Sequence, residues 1–306
     1  MNISVSFPGL GIGDMSINSV AFTIGESFTV MWYGVVIALG MLMAIVYASW
    51  RCKQQGIKVD DLMDIAIYTI FFGVIGARLY YVAFSPSQFK TLLDVINLRT
   101  GGLAIYGGII FGAATIVVVC LIKKISWRRL YDCAAPAVMI AQSMGRWGNF
   151  FNGEAYGGLV EENSPLYFLR MGLKSRNTLS DFGSGMWYVH PTFLYESLWN
   201  VIGFIIINIL FKKKKFDGEV ALWYFGWYGF GRMFIEGLRT DSLYIGETGI
   251  RVSQLLGFLL FALATALIVY GRIVVKKNAQ TAAVVEEATT EENVATEEAP
   301  ATEENG

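Results

Sequence analysis

Two uncharged runs constrain this chain before anything else does: Met31–Trp50 and Val252–Gly271, each 20 residues long. At 1.5 Å per residue a helix of that length crosses a bilayer core of about 30 Å. Five further apolar stretches lie at about 62–84, 102–122, 130–148, 191–211 and 219–237, carrying none to three charged residues each. Across the 306 residues 54% are hydrophobic and 16% charged, with a mean hydropathy of +0.48; soluble domains carry roughly 25% charged residues. The pattern predicts an all-α integral membrane protein built as a bundle of about seven transmembrane helices.

The charges give those helices a direction. Basic clusters follow alternate apolar segments: Arg51 and Lys53, then Lys123, Lys124, Arg128 and Arg129, then Lys212 to Lys215, then Arg272, Lys276 and Lys277. Cytoplasmic loops are enriched in Lys and Arg, so all four clusters are expected inside. The N-terminus is then outside and the C-terminus cytoplasmic, as seven spans require. This predicts an external arm over 1–28 and a seven-helix catalytic domain over 29–278, with an external head at about 149–190 between the fourth and fifth helices. The arm has no Lys or Arg and does not read as a signal peptide.

Formal net charge is −1, but eight of the 25 acidic residues are glutamates in 279–306, where no Lys or Arg occurs. That leaves a balance of +7 elsewhere. Such a like-charged tail, poor in apolar residues, is expected to be disordered. The three cysteines, Cys52, Cys120 and Cys133, match no metal-binding spacing and read as small buried side chains. No metal, cofactor or nucleic-acid partner is called for.

Charged residues within spans are costly and default to functional candidates. By the predicted topology, Arg78, Arg146, Arg232, Glu236, Glu196 and His190 all fall in the outer part of the membrane, with Tyr33 and Tyr106 at outer helix starts. No comparable set is expected in the inner halves. Three arginines at one depth suggest an anion, because guanidinium is permanently charged and its planar fork matches phosphate oxygens. In an outer leaflet the abundant anion is a phospholipid headgroup. Arg232 and Glu236 are four apart and can pair along one helical face, whereas Arg146 has no such partner within a turn.

The stretch GRWGNFFNGEAYG, residues 145–157, concentrates the polar chemistry. Arg146, Asn149 and Asn152 share a face if the helix continues. Glu154 follows, and the glycines allow close backbone approach. Tyr33, Tyr106 and Tyr228 are the aromatic candidates, with an interfacial-belt role as the competing reading. His190, the only histidine, precedes Pro191 and reads as a base or, better, as a hydrogen-bonded structural residue.

These blocks resemble the bacterial prolipoprotein diacylglyceryl transferase family. The similarity runs through WYG at 32–34, GARLYY at 76–81, GGLAIYGG at 101–108, GRWGNFFNGEAYG, HPTFLYE at 190–196 and YGFGRMFIEGLR at 228–239. It implies a multi-pass enzyme of the bacterial cytoplasmic membrane that moves the diacylglyceryl group of phosphatidylglycerol to the lipobox cysteine of a prolipoprotein. A thioether forms and glycerol phosphate leaves. The resemblance makes Arg146 the main phosphatidylglycerol contact and Arg232 a second essential arginine. It also marks Tyr33, Asn149, Glu154, Gly157 and Tyr228, with Asn152, Arg78 and Glu236 grouped beside them. Where many members read HGG this chain reads YGG, with Tyr106 in the place of the expected base. A phenol, with a pKa near 10, is a poor base at neutral pH. Tyr106 then acts with a perturbed pKa, or only positions substrate, or the histidine is not the essential base. The competing function is an outer-leaflet lipid or anion transporter, which would need polar sites reachable from both faces.

Overall fold

A computed structural model describes residues 2–25, 28–89, 91–98, 101–240, 242–246 and 248–297. Among the described residues seven helices have 17 or more residues: α1 (Trp32–Gln54), α2 (Val59–Phe84), α4 (Ile105–Ile122), α5 (Trp127–Asn152), α7 (Thr192–Leu210), α8 (Glu219–Ile235) and α9 (Val252–Glu297). Two short helices, α3 (Leu92–Ile96) and α6 (Arg176–Phe182), lie in connections. Five of the long helices are long and apolar enough to cross a membrane, α1, α2, α4, α7 and α9. The chain is a multi-pass membrane protein. Its helices turn large apolar side chains outward, as at Ile122 (74% exposed) and Ile209 (68%), where a lipid solvent removes the penalty water would impose.

The two helices that fall short, α5 and α8, carry Arg146 and Arg232. α8 has 17 residues, and α5 is interrupted by Asp132, Gln142, Arg146 and Asn149. α5 packs against α1, α7 and α8, so its polar face is turned into the bundle. α7 and α8 are clasped by reciprocal tryptophans. The Trp199 indole donates to the Trp227 carbonyl at 3.0 Å and Trp227 to the Trp199 carbonyl at 2.9 Å, with the rings stacked at 4.2 Å. Gly203 and Gly231 admit those rings, since a Cβ at either would sit within 2.3 Å of an indole nitrogen. This clasp fixes Glu196 on α7 against Arg232 on α8.

The all-α expectation is corrected by two sheets. Strands β1 (Asn2–Phe7), β2 (Ile12–Asn18), β5 (Met171–Lys174) and β6 (Trp187–Val189) form one sheet in the order β2-β1-β5-β6, with antiparallel register Ser4↔Lys174 and Met171↔Val189. β3 (Val20–Ile24) and β4 (Phe28–Met31) form a separate hairpin leading into α1. Within the expected arm, residues 2–7 are paired: β1 bonds to β5 from the 149–190 region. Its period of two was legible in Ile3, Val5 and Phe7, which alternate with serines and pack on Tyr156, Leu173, Val189 and Phe193.

Two further expectations change. α9 runs on as helix to Glu297, where the sequence predicts disorder from 279; alanine and glutamate are strong helix formers and extend an existing span without a new nucleus. Residues 298–306 lie outside the described residues. The other end of the bundle also holds buried charge, contrary to expectation: Arg51 is 5% exposed, and Asp132 and Glu219 are fully buried. Each is satisfied locally. Asp132 accepts from the Gly218 and Ala221 N–H groups (2.9 and 3.1 Å) and from Lys214 Nζ (3.0 Å), so a carboxylate of α5 caps the start of α8. Glu219 pairs with Arg272 at 2.6 Å. Arg51 donates to Gln54 and Tyr47, both at 2.9 Å, and lies over the Phe211 ring. The cysteines are free and buried, Cys52 and Cys133 together in a core cluster with Cys120.

Candidate active site

Glu196 is the hub of the site. It is 5% exposed, in the second turn of α7, and three arginines converge on it. Arg146 Nη2 lies 2.6 Å from Oε2, Arg232 Nη1 3.2 Å from both oxygens and Arg239 Nη1 3.2 Å from Oε1. Arg232 also reaches Glu236 Oε2 at 2.6 Å, which realises the expected i,i+4 pair. Arg146 has its partner on another helix rather than within a turn. Among the described residues three guanidinium groups face two buried carboxylates in a low-dielectric setting, where an arriving anion is held far more strongly than in water.

The signature stretch supplies the wall beside this hub. α5 continues through Asn152 and stops at Gly153, whose left-handed φ of 62° forms the C-cap. Asn149 and Asn152 do lie on one face, and both donate to Glu154 Oε1, at 3.1 and 3.2 Å. They orient a carboxylate. Gly148 lets the Tyr33 ring lie against α5, since a Cβ there would come within 2.9 Å of Tyr33 Cδ2. Gly157 is a crossing point: its N–H donates to the His190 carbonyl at 2.9 Å, and a Cβ would lie 2.7 Å from both His190 Cβ and the Leu238 carbonyl oxygen. It joins the segment after α5 to the residues just before α7 and just after α8.

Other expected residues stand apart from the hub. The Arg78 guanidinium donates to the carbonyls of Asp94, Val95, Asn97, Gly101 and Gly102, at 2.5 to 2.9 Å, which uses all five of its N–H groups. Folding the connection after α2 around itself leaves Arg78 no donor for a phosphate, and the expectation of a substrate contact is corrected accordingly. Tyr106 sits in the first turn of α4, half-buried. His190 is 9% exposed with Nδ1 3.2 Å from the Tyr195 hydroxyl, and burial pushes its imidazole below the ordinary value of 6.5.

Two openings border the hub. A narrow cleft is lined by Glu196, Trp199, Asn200, Tyr228, Arg232 and Ile235. Tyr228 stacks on Tyr224 there, at 6.0 Å. Asn200 is 4% exposed, and its Oδ1 has no hydrogen-bond partner among the described residues. A separate cavity of about 430 Å³, which meets the hub at Arg239, is lined by polar residues that include Asn149, Glu154 and Asp181. Sequence reasoning passed over Arg239 and Asn200, and did not give Glu196 its central place. Arg239 ends the quoted YGFGRMFIEGLR block and follows Arg232 by seven, two helical turns away, which is the signal that could have found it. Asn200 lies one turn beyond Glu196 on the same face of α7.

The sequence profile of the family described as "Prolipoprotein diacylglyceryl transferase" matches residues 19–270. A phosphatidylglycerol–prolipoprotein diacylglyceryl transferase of Clostridium kluyveri is 44% identical over 256 residues, covering 82% of this chain and 95% of that protein. A protein of the same description from Staphylococcus aureus is 42% identical over 265 residues, covering 86% and 92%. The match takes in α1 to α8, the first part of α9 and all the arginines of the hub, and the chain belongs to the prolipoprotein diacylglyceryl transferase family.

Proposed function

We propose that this protein transfers the diacylglyceryl group of phosphatidylglycerol to the lipobox cysteine of a prolipoprotein, the first step of lipoprotein maturation. The convergence of Arg146, Arg232 and Arg239 on buried Glu196 carries the reading. The cysteine sulfur attacks the glyceryl carbon bonded to the phosphate ester oxygen. A carbon–sulfur bond forms, the carbon–oxygen bond breaks, and glycerol phosphate departs with both electrons of that bond. The leaving group gains a negative charge in the process, and arginines fixed before the reaction stabilise it at no reorganisation cost. The thiol proton leaves for solvent or for the departing phosphate. A thiol with an ordinary pKa near 8.5 ionises more readily in the positive field of the cluster.

Arg146 is assigned as the main phosphate contact, with Arg232 beside it and Glu196 and Glu236 holding both in place. Tyr228 and Tyr33 line the approach of the lipid, and Asn149 and Asn152 set the orientation of Glu154. Gly157 acts by clearance and His190 by its structural hydrogen bond. Tyr106 positions substrate. The seven long helices are assigned as seven spans, with the N-terminus and the head outside and the C-terminus in the cytoplasm, supported by the four basic clusters. In the transporter reading a polar route would continue to the inner face; the neutralised Asp132 and Glu219 clusters speak against it.

The test is transfer by purified protein in phosphatidylglycerol vesicles to a lipobox peptide, read by mass and by glycerol phosphate release. The peptide gains one diacylglyceryl group, and a Cys→Ser peptide gains none. Labelling without glycerol phosphate release would refute the proposed bond cleavage. Tyr106→Phe retains transfer if the phenol only positions substrate.

A further inference from the structure

Among the described residues two other than glycine sit on left-handed backbone, Lys124 at a φ of 56° and Ala155 at 53°. A Cβ crowds the following carbonyl in this region, so each instance has to be held by something. Lys124 is held by the close of α4: its N–H bonds to the Leu121 carbonyl and the Ile125 N–H to the Cys120 carbonyl. Helix termination does not account for Ala155, because α5 already stops at the left-handed Gly153. The hold on Ala155 comes from another helix. The Thr192 hydroxyl donates to the Ala155 carbonyl at 2.5 Å, and Thr192 is fully buried as the first residue of α7, one turn before Glu196. We infer that Thr192 is a positioning residue for the transfer reaction, its hydroxyl holding the left-handed turn at Ala155 that aims Glu154 at the site. The inference rests on the transferase reading above.

The turn divides two sets of bonds. Before it, the Glu154 N–H donates to the Asn149 carbonyl at 3.1 Å, and Glu154 Oε1 accepts from the Asn149 and Asn152 amides. Glu154 therefore folds back along the last turn of α5, and with Ala155 it lines the cavity that meets the hub at Arg239. After the turn, Tyr156 is buried and the Gly157 N–H reaches the His190 carbonyl. An Ala155 relaxed to negative φ would swing the Glu154 carboxylate off its asparagines or pull Gly157 away from His190. Threonine serves both sides at position 192. Its hydroxyl takes the Ala155 carbonyl, and its methyl faces Gly157, where a Cβ would come within 3.0 Å of Thr192 Cγ2. Strained backbone persists only where its surroundings over-determine it, and it concentrates at functional sites. Here one buried bond ties the helix that carries Glu196 to the segment that carries Glu154.

The test is transfer by the full chain in phosphatidylglycerol vesicles to a lipobox peptide, with kcat/KM taken per folded molecule. Thr192→Val keeps the shape and the methyl but removes the donor, and Thr192→Ala, made separately, removes both donor and methyl. Each lowers kcat/KM by about tenfold, as loss of a buried hydrogen bond implies. Thr192→Ser keeps the donor and stays within about twofold of wild type. The deciding variants add Ala155→Gly to Thr192→Val and to Thr192→Ala. Glycine adopts the left-handed conformation unaided, so each double variant transfers about threefold faster or more than its parent. A role for Thr192 in packing alone gives no such rescue, because a glycine restores no contact. Wild-type transfer by Thr192→Val and Thr192→Ala, or double variants no faster than their parents, overturns the inference. Wild-type protein that transfers nothing refutes the transferase reading instead.

Discussion

The bundle holds two buried charge clusters at opposite ends of the same helices, and they are built on opposite plans. Around Glu196 three arginines from α5, α8 and the turn after it share one carboxylate, Glu236 adds a second acid on Arg232, and two openings adjoin. Around Asp132 the single acid accepts from two backbone N–H groups and one lysine, and Glu219 meets Arg272 nearby. The second arrangement closes on itself and caps a helix. The first gathers three guanidinium groups beside space that a ligand can fill. Burial of charge alone does not mark a functional site; the gathering of arginines and the adjoining cavity do.

Substitutions can break that contrast. The largest effect is expected at Arg232, which serves both Glu196 and Glu236. Arg232→Ala leaves two buried carboxylates short of a partner, a change that costs on the order of 3–5 kcal/mol for a broken buried pair. Thermal unfolding in detergent should drop by many degrees, and transfer should fall at least a hundredfold per folded molecule. At the other end, Asp132→Ala removes the α8 cap and orphans buried N–H groups, for about 2–3 kcal/mol. There the melting temperature falls while transfer per folded molecule persists. Equal loss of transfer in both variants would erase the distinction between the clusters.

Smaller changes sharpen it. Gly148→Ala pushes a methyl to within 2.9 Å of the Tyr33 ring, overpacking worth about 1–3 kcal/mol, and should lower transfer severalfold. The smallest expected effect is in pH dependence. Burial lowers the folded-state pKa of His190 below 6.5, so the unfolded chain binds its proton first as the pH falls. Its contribution to stability is full above about pH 6.5 and is lost as the pH falls through the depressed value. His190→Gln should flatten the fall in melting temperature between pH 7 and pH 5, and leave transfer at pH 7 above half of wild type.

The seven long helices were legible from apolar runs, and the arginine cluster from the cost of charge within them. The sheet was under-read because Ser4 of β1 pairs with Lys174 of β5, far away along the chain, although Ile3, Val5 and Phe7 alternate plainly. Arg146 and Arg232 were visible as expensive residues. That they share Glu196 was not, because the contact joins three helices whose rotation no one-dimensional pattern fixes. Arg78 misled for the same reason: its cost is real, but it is met by five carbonyls of its own loop. Arg239 escaped notice because it lies just past the end of α8, outside the span.

The central claim is that the Glu196 cluster is a phosphate clamp and the Asp132 cluster a structural cap. The direct measurement is the initial rate of lipobox-peptide labelling from phosphatidylglycerol by Arg146→Ala, beside its melting temperature. The account predicts a rate at least a hundredfold below wild type, with a melting temperature that keeps the protein folded at the assay temperature. Labelling by folded Arg146→Ala at the wild-type rate would contradict it.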